Sequence, residues 1–448
     1  MAGRNGCSVP TTEREPPQYS GTSPLGRVRP LGLDGHLGLS PVAGLSLSTE
    51  QIKELVVRTV VPVPPATMGV DHVRSFGILS TFPPTSCGIA TFSAALAAGL
   101  IADGASVGVV RCDPAPDIED VLVVASLDEP DRSDHAAAVE ALNAHDVVII
   151  QHEYGLYAGP DGEALLDIMA AIDAPIVVVA HTVVSDPTRN QRRVLEQVCA
   201  AADAVVVMTE AARTRLRDGF DVDLTKVSLV AHGATTPAAT TMRSATRSAG
   251  PARLLTWGLL GPGKGIEWAI DAMSELSDLR PGPEYVIAGA THPKVRARSG
   301  ERYRDMLVDR VASSVSADQV SFDDRYRDLQ SLTELIHSAD VVILPYDSRD
   351  QVTSGVLVDA VAAGRPVVST AFPHAVELLS SGAGIVVPQR DPVALGAAIR
   401  SVLTDPALAA SMAREARRLA PSLSWSAVAR QYSQLGRRLV ATRRSAAS

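Results

Sequence analysis

The feature of this 448-residue chain that most limits its fold is a couplet repeated along most of its length: a short run of Val, Ile, Leu and Ala, a loop rich in Gly, Ser, Thr and Pro, then a stretch with helical spacing. Such runs stand at 75–80, 107–110, 147–150, 176–180, 204–208 and 227–230. They lack polar alternation, so each is expected to be buried on both faces, as parallel strands are when helices cover the sheet above and below. The pattern lapses over 236–251, where Thr, Ala and Ser dominate, and resumes at 254–257, 285–288, 320–322, 341–344, 367–369 and 384–387. Two doubly wound parallel sheets are expected, one over 73–235 and one over 252–423, joined by a linker. Asp391-Pro392 and Asp405-Pro406 each pair a helix N-cap with proline at the first helical position. The last segment, 424–448, places Val428, Tyr432, Leu435 and Leu439 on one side of a predicted helix and suits a return crossing to the first domain. The expected fold class is α/β, with two Rossmann-like domains facing a central cleft.

Residues 1–72 mix Pro, Gly, Ser and Thr with scattered charge and no sustained periodicity, which reads as a disordered extension. Within it, 48–60 has a helical pattern, with Ser48 as cap and Gln51 as its capping-box partner. The hydrophobic share of 46% is that of a globular chain with a substantial core. A net charge of −9 argues against general nucleic-acid binding, which needs clustered Lys and Arg to neutralise phosphates. Any anionic ligand must then be held locally. Cys7, Cys87, Cys112 and Cys199 form no Cys-x-x-Cys pair and read as reduced thiols of a cytoplasmic protein. No apolar run reaches the roughly 18 to 20 residues of a membrane span, and 1–30 has no signal-peptide core.

The densest candidate site lies in 340–370. One aliphatic run closed by Pro345 and another opened by Pro366 bracket a loop and a helix. Thr353 and Ser354 are natural N-caps for a helix beginning at Gly355, and Gly364 can adopt the left-handed conformation that ends it. A strand's carboxyl end thus delivers the chain into a helix amino end, where unpaired N–H groups and the positive end of the helix dipole suit a phosphate. The N–H groups of Ser354, Gly355 and Val356 are expected to hold a diphosphate, and Asp359, one turn on, to accept hydrogen bonds from a ribose diol. A Thr-Ser-Gly cap beside an acid also occurs in α/β proteins that bind nothing there.

Other strand ends carry their own motifs. A helix is expected over 91–102; in the 81–92 segment that leads into it, Gly88 lets a backbone approach a ligand closely, with a plain βα turn as the alternative, and Cys87 is expected as a small filler. Gln151-His152-Glu153-Tyr154-Gly155 is no zinc-protease motif, because Leu156 stands where a second His is needed and the run ends a strand. His181 ends the next strand, either as a ligand contact or as a hydrogen-bonded structural residue. The glycine-rich 257–265 carries Lys264 but fits neither nucleotide fingerprint. Gly261, Gly263 and Gly265 lack the dinucleotide spacing and Glu284 begins its strand, while Gly265 follows Lys264 where a Walker loop needs Ser or Thr. Asp221-Val-Asp223 matches the Asp-x-Asp of metal-dependent transferases but lies in a helix-to-strand connection and reads as solvated loop.

The 351–368 segment resembles the carboxyl-terminal signature of glycosyltransferase family 4, retaining enzymes of the GT-B fold, in which two glutamates eight positions apart precede a small-residue helix and Gly-x-Pro-Val-Val. Asp359 stands at the second, ribose-binding glutamate. Gln351 stands at the first, which in that family contacts donor sugar hydroxyls, with Asp350 as an alternative for the role. The 81–92 loop resembles the family's first glycine loop, which implies that Gly88 and Ile89 offer N–H groups to the donor diphosphate or border the acceptor. The resemblance further implies that His181 lies near the donor sugar, that 151–155 lines the acceptor side, and that Lys264 neutralises the leaving diphosphate, with Leu259 where the family carries Arg. By position, Gly289 with 290–293 and Asp323 to Tyr326 should border the base, Arg325 stands either as a phosphate contact or as an exposed side chain with no specific role, and Phe372 to His374 should close the rim. The implied reaction moves a hexosyl group from a nucleotide sugar of GDP-mannose or UDP-glucose type to a hydroxyl of a carbohydrate or glycolipid, with retention and without a metal. The departures at Gln351 and Leu259 leave a second reading open, a degenerate GT-B protein that binds a sugar nucleotide or a partner without transfer. Arg437, Arg438, Arg443 and Arg444 suit either an anionic membrane surface or plain solvent.

Overall fold

The computed structural model describes residues 73–85, 87–113, 120–127, 132–234, 250–325, 327 and 329–446. The expected extension over 1–72 with its 48–60 helix, the 236–249 portion of the linker, and Tyr326 lie outside these residues.

The aliphatic runs form two parallel sheets. The first contains β1 (Ser75–Ser80), β2 (Ser106–Arg111), β3 (Val123–Ser126), β4 (Val147–His152), β5 (Ile176–Ala180), β6 (Ala204–Val207) and β7 (Val227–Leu229), in spatial order β3-β2-β1-β4-β5-β6-β7. The second contains β8 (Arg253–Trp257), β9 (Glu284–Ala288), β10 (Val320–Asp323), β11 (Val341–Leu344), β12 (Val367–Thr370) and β13 (Gly384–Val387), in order β10-β9-β8-β11-β12-β13. Strand β3 has no counterpart in the sequence pattern. It is a four-residue edge strand with alternate side chains exposed, so it lacks the unbroken apolar run that marks a central parallel strand.

Helices α1 (Gly88–Ala102), α2 (Arg132–Asn143), α3 (Leu165–Ala170), α4 (Arg189–Ala201) and α5 (Glu210–Gly219) accompany the first sheet. The second is accompanied by α6 (Ile266–Ala272), α7 (Pro293–Ser299), α8 (Arg302–Ala312), α9 (Leu329–Ser338), α10 (Gly355–Ala362), α11 (Pro373–Leu379), α12 (Pro392–Thr404) and α13 (Pro406–Leu423). A long α14 (Trp425–Ala446) ends the described chain. Asp391 and Asp405 cap α12 and α13 through their side chains, each followed by proline, as the sequence implies.

The period-2 geometry of each strand divides its apolar side chains between two cores. Phe76 and Ile78 of β1 face one side of the first sheet with Ile149 of β4, while Leu79 and Ile150 face the other. Val428, Tyr432 and Leu435 of α14 join the first of these cores, beside Phe92 and Leu96 of α1, so the last helix packs on the first domain. Burial of each large apolar side chain there contributes about 1.5–3 kcal/mol. The two interdomain crossings run side by side: the Ala234 N–H donates to the Leu423 carbonyl at 2.7 Å.

In each sheet the winding direction reverses once, between β1 and β4 and between β8 and β11. Loops leaving the carboxyl ends at such a reversal diverge to opposite faces and open a crevice. The glycine-rich and polar motifs at 81–87, 153–164, 258–265 and 345–354 are the loops that leave these four strands.

Candidate functional site

The second-domain wall is built by the loop after β8 folding onto the segment after β11. Gly265 has φ 61°, and a Cβ there would lie 2.0 Å from the Pro345 carbonyl oxygen, so only glycine permits this approach. The Asp347 N–H donates to the Gly263 carbonyl at 3.1 Å, and a Cβ on Gly258 would lie 3.5 Å from Val356. The loop that carries Lys264 is therefore pressed against the start of α10. The Lys264 Nζ sits 4.3 Å from the centroid of the Tyr346 ring, which stacks on Phe372 at 5.0 Å. A cation held over an aromatic face gains about 0.5–1 kcal/mol at such a half-exposed position and keeps its charge available. Phe372 leads into α11, where His374 Nδ1 accepts the Ser354 N–H at 2.9 Å. Lys264, Tyr346, Phe372, His374 and Ser354 thus form one connected run of contacts ending at the amino end of α10.

That last bond corrects the expected phosphate seat. Ser354 caps the helix, its Oγ accepting the Leu357 N–H at 3.3 Å, but its own amide is committed to His374. Gly355 and Val356 remain, the first amides of an α-helix, which have no carbonyl partner within it. Asp359 lies half-buried one turn along the same helix. Gly355 is required by a close neighbour, since a Cβ there would sit 3.0–3.1 Å from the His232 ring. His232 follows β7 and donates from Nδ1 to the Gly233 carbonyl at 2.6 Å, which leaves Nε2 as an acceptor. Burial lowers its pKa to about 4, so the ring is neutral near pH 7.

The first-domain wall reaches the same place through Phe92. This α1 ring makes edge contacts with His181 at 4.9 Å, with His232 at 5.1 Å and with Trp425 at 4.9 Å. A first-domain strand end, the start of the linker and Gly355 are thereby brought into one cluster. The His181 ring donates from Nε2 to Gln151 Oε1 at 2.7 Å. Its pKa falls to about 3, chiefly through burial and secondarily through His232 and His152, so it is neutral with Nδ1 as an acceptor. Glu153 is half-buried nearby. Burial raises its pKa, partly offset by hydrogen bonds from the Thr182 hydroxyl and the Tyr154 N–H.

Helix α1 begins at Gly88, three residues before the position its apolar pattern suggests, so Gly88 and Ile89 carry its first amides. Cys87 is more than filler: its Sγ caps the helix by accepting the Ala90 N–H at 3.3 Å. A Cβ on Gly88 would meet nothing within 4 Å, so the backbone there is open to an approaching group. The preceding loop is gripped by Arg111 at the end of β2, which donates to the Pro83 carbonyl and the Thr85 hydroxyl and pairs with Asp113, each at 3.1 Å.

Several expected residues are placed elsewhere. Asp350 is turned toward the first domain, its Oδ1 accepting from Arg215 at 3.1 Å and from Ser185 N and Oγ at 2.9 and 2.8 Å. Gln351 turns its amide onto the Thr353 carbonyl. Arg325 is exposed and pairs with Asp323, at 2.9 and 2.7 Å. Gly289 packs its backbone onto the Gly258 carbonyl, bracing the β8 loop. Asp223 caps a short helical turn by accepting the Thr225 N–H. Arg443 pairs with Asp203 at 2.9 Å. Among the described residues no group of three His, Cys, Asp or Glu side chains could hold a metal, and no single helix is long and apolar enough to cross a membrane. Arg111 and His232 were not singled out from the sequence. Their signals were a cation closing an otherwise aliphatic strand and a His-Gly pair directly after one.

Comparison with known proteins agrees with this architecture. Residues 87–236 match the family model described as Glycosyltransferase Family 4, and 251–405 match Glycosyl transferases group 1. A D-inositol 3-phosphate glycosyltransferase of Kineococcus radiotolerans is 30% identical over 342 residues, covering 69% of this chain and 75% of that one. Glycogen synthase of Mycobacterium tuberculosis is 30% identical over 276 residues, 59% of this chain, and the match spans only 63% of that enzyme's length. Among solved structures, sucrose-phosphate synthase from Thermosynechococcus elongatus superposes with TM-score 0.65 at 21% identity, covering 82% of this chain and all of that one (100%). Anabaena HepE in complex with UDP-glucose superposes with TM-score 0.63 at 16% identity, covering 80% and 98%. With two reversing parallel sheets, the matched family signatures and a relative aligned over three quarters of its length, the chain belongs to glycosyltransferase family 4 and has the GT-B fold.

Proposed function

We propose that the chain transfers a hexosyl group from a nucleoside diphosphate sugar to a hydroxyl acceptor, with retention of anomeric configuration. The observation that carries this reading is the meeting of the Lys264 loop with the amino end of α10 at the reversal point of the second sheet. An ammonium and two unpartnered helix amides suit a diphosphate that gains charge as it departs. Asp359, one turn along, suits the ribose diol. In the proposed step the bond from the sugar C1 to the phosphate oxygen breaks and the acceptor oxygen bonds C1 on the same face. The acceptor proton passes to the departing phosphate oxygen, so no protein acid is consumed. Lys264 and the amides of Gly355 and Val356 supply the positive charge that this step requires, and no metal is assigned a part in it. The half-buried, neutral His181 serves as a hydrogen-bonding wall near the sugar and not as a cation.

The solved complex of HepE with UDP-glucose makes that donor the first to test. A second reading, binding without transfer, is favoured by one observation: Gln351, at the position expected to contact the sugar, turns its amide to the Thr353 carbonyl. Incubation with UDP-glucose and with GDP-mannose, in the presence of EDTA and a panel of sugar and glycolipid acceptors, distinguishes the two. Release of nucleoside diphosphate with an axial anomeric product by NMR supports transfer. Calorimetric binding without release supports the second reading, and neither binding nor release overturns both.

A further inference from the structure

Helix α5 of the first domain is gripped by the second domain at its amino end and at Arg215 midway along it. Its N-cap Thr209 accepts the Ala212 N–H at 3.1 Å and donates its hydroxyl to the Val352 carbonyl at 3.0 Å. Its first amides, those of Glu210 and Ala211, are taken by Glu377 of α11, whose two carboxylate oxygens accept at 2.9 and 3.1 Å. A carboxylate supplied by one domain thus completes the positive helix end of the other. Further along α5, the Arg215 guanidinium donates to the Arg349 carbonyl at 2.6 Å, to Asp350 Oδ1 at 3.1 Å and to the Val183 carbonyl at 2.8 Å. Asp350 also receives both donors of Ser185, and Val352 is 1% exposed within the first domain's core. Gln351 lies between these two anchored residues, and three residues later Ser354 caps α10. Helix α11 joins the two functions, because His374 holds the Ser354 amide while Glu377, one turn on, holds α5.

We propose that α5 is an interdomain clasp, and that Arg215 and Glu377 are positioning residues that order the donor-side loop 349–353 only while the two domains are docked. The role toward the donor rests on the function proposed above. The clasp itself does not. Separating the domains would strip Glu377 from α5 and free the loop that carries Gln351.

The test is amide hydrogen exchange of the full chain without ligand, followed by donor kinetics with UDP-glucose. Arg215→Ala is expected to speed exchange across 349–353 by about tenfold, as loss of a half-exposed ion pair and two carbonyl bonds would. Glu377→Gln, which keeps shape, is expected to speed exchange at 210 and 211, and it preserves the test should Arg215→Ala fail to fold. Arg217→Ala, whose side chain pairs only with exposed Asp218, is the control and is expected to leave both segments unchanged. In kinetics, Arg215→Ala is expected to raise the donor KM by about fivefold to tenfold with a smaller change in kcat, an effect of the order of 1 kcal/mol or a little more. In an Asp350→Ala background Arg215→Ala should have a smaller effect, because the ion pair is already gone and only the bonds to the Arg349 and Val183 carbonyls remain to be lost. Unchanged exchange across 349–353 overturns the clasp, and faster exchange with an unchanged donor KM overturns the positioning role. If the wild-type chain releases no UDP, the donor reading fails, while the exchange data still decide the clasp.

Discussion

Lys264 shows what a single residue contributes and how far it can be read from sequence. A lysine in a glycine-rich loop after a strand stands out in the linear chain, but the aromatic floor that orients it does not, because Tyr346 arrives from a different strand. Removing the ammonium should leave the fold almost untouched, since it sits half-exposed over one ring and joins no core. Lys264→Ala is expected to lower donor turnover by about 10²–10³-fold, the effect of losing one well-placed charge-stabilising donor. Its unfolding free energy should change by no more than about 1 kcal/mol. Initial rates of UDP release alongside thermal melts check this, and an unchanged rate removes Lys264 from the chemistry. Ser354 teaches the converse. Its cap role was legible, whereas the commitment of its amide depends on where α11 places His374.

At the scale of elements, two helix amino ends face the crevices, those of α1 and α10. The start of α10 follows the sequence because serine is a usual N-cap. The start of α1 was read three residues late because cysteine is not among the usual caps, although its sulfur performs that task. This places the Gly88 amide in the first turn of α1, with open space where a side chain would go. Gly88→Ala should therefore fold with stability within about 1 kcal/mol of the parent, since alanine is the better helix former. If a ligand approaches that backbone, the variant should bind UDP-glucose at least about tenfold more weakly, because an added methyl would displace it. Calorimetric titration decides the matter, and equal affinity would mean that no ligand atom reaches the amino end of α1.

The molecule as a whole places four histidines, the buried His152 and His374 and the half-buried His181 and His232, on the facing edges of its two domains and at the crossing between them. Burial lowers their pKa values to about 4, 3, 4 and 3 respectively, with neighbouring imidazoles adding to the effect at His181 and His374. An unfolded histidine titrates near about 6.5. Between that value and the depressed folded ones, the unfolded chain binds protons that the folded chain refuses. Stability is therefore complete above about pH 6.5 and is lost progressively as pH falls toward 4. Unfolding near pH 5 is expected to take up as many as about four protons, one per histidine. Urea midpoints measured from pH 7.5 to 4.5 should fall steadily, and a flat profile would falsify the account of these rings as neutral.

The alternation of aliphatic runs with helical stretches specified two parallel sheets, because only strands covered on both faces leave so little polar signal. The same local chemistry marked the loops at strand ends, since glycine, serine and lysine advertise tight turns, caps and charge without help from distant residues. Tertiary packing alone decided which of those groups face a ligand. Asp350 stood in the sequence as an alternative to Gln351, and only the fold shows that Arg215, contributed by the other domain, pairs with its Oδ1. His232 became a neighbour of Gly355, and His181 joined it through Phe92, only because the fold brings together strand ends that the chain visits far apart. Backbone conformation and capping depend on adjacent residues and can be read along the chain. The partner of a buried donor or an interdomain charge is fixed by which surfaces meet, and that pairing is set by the folded molecule.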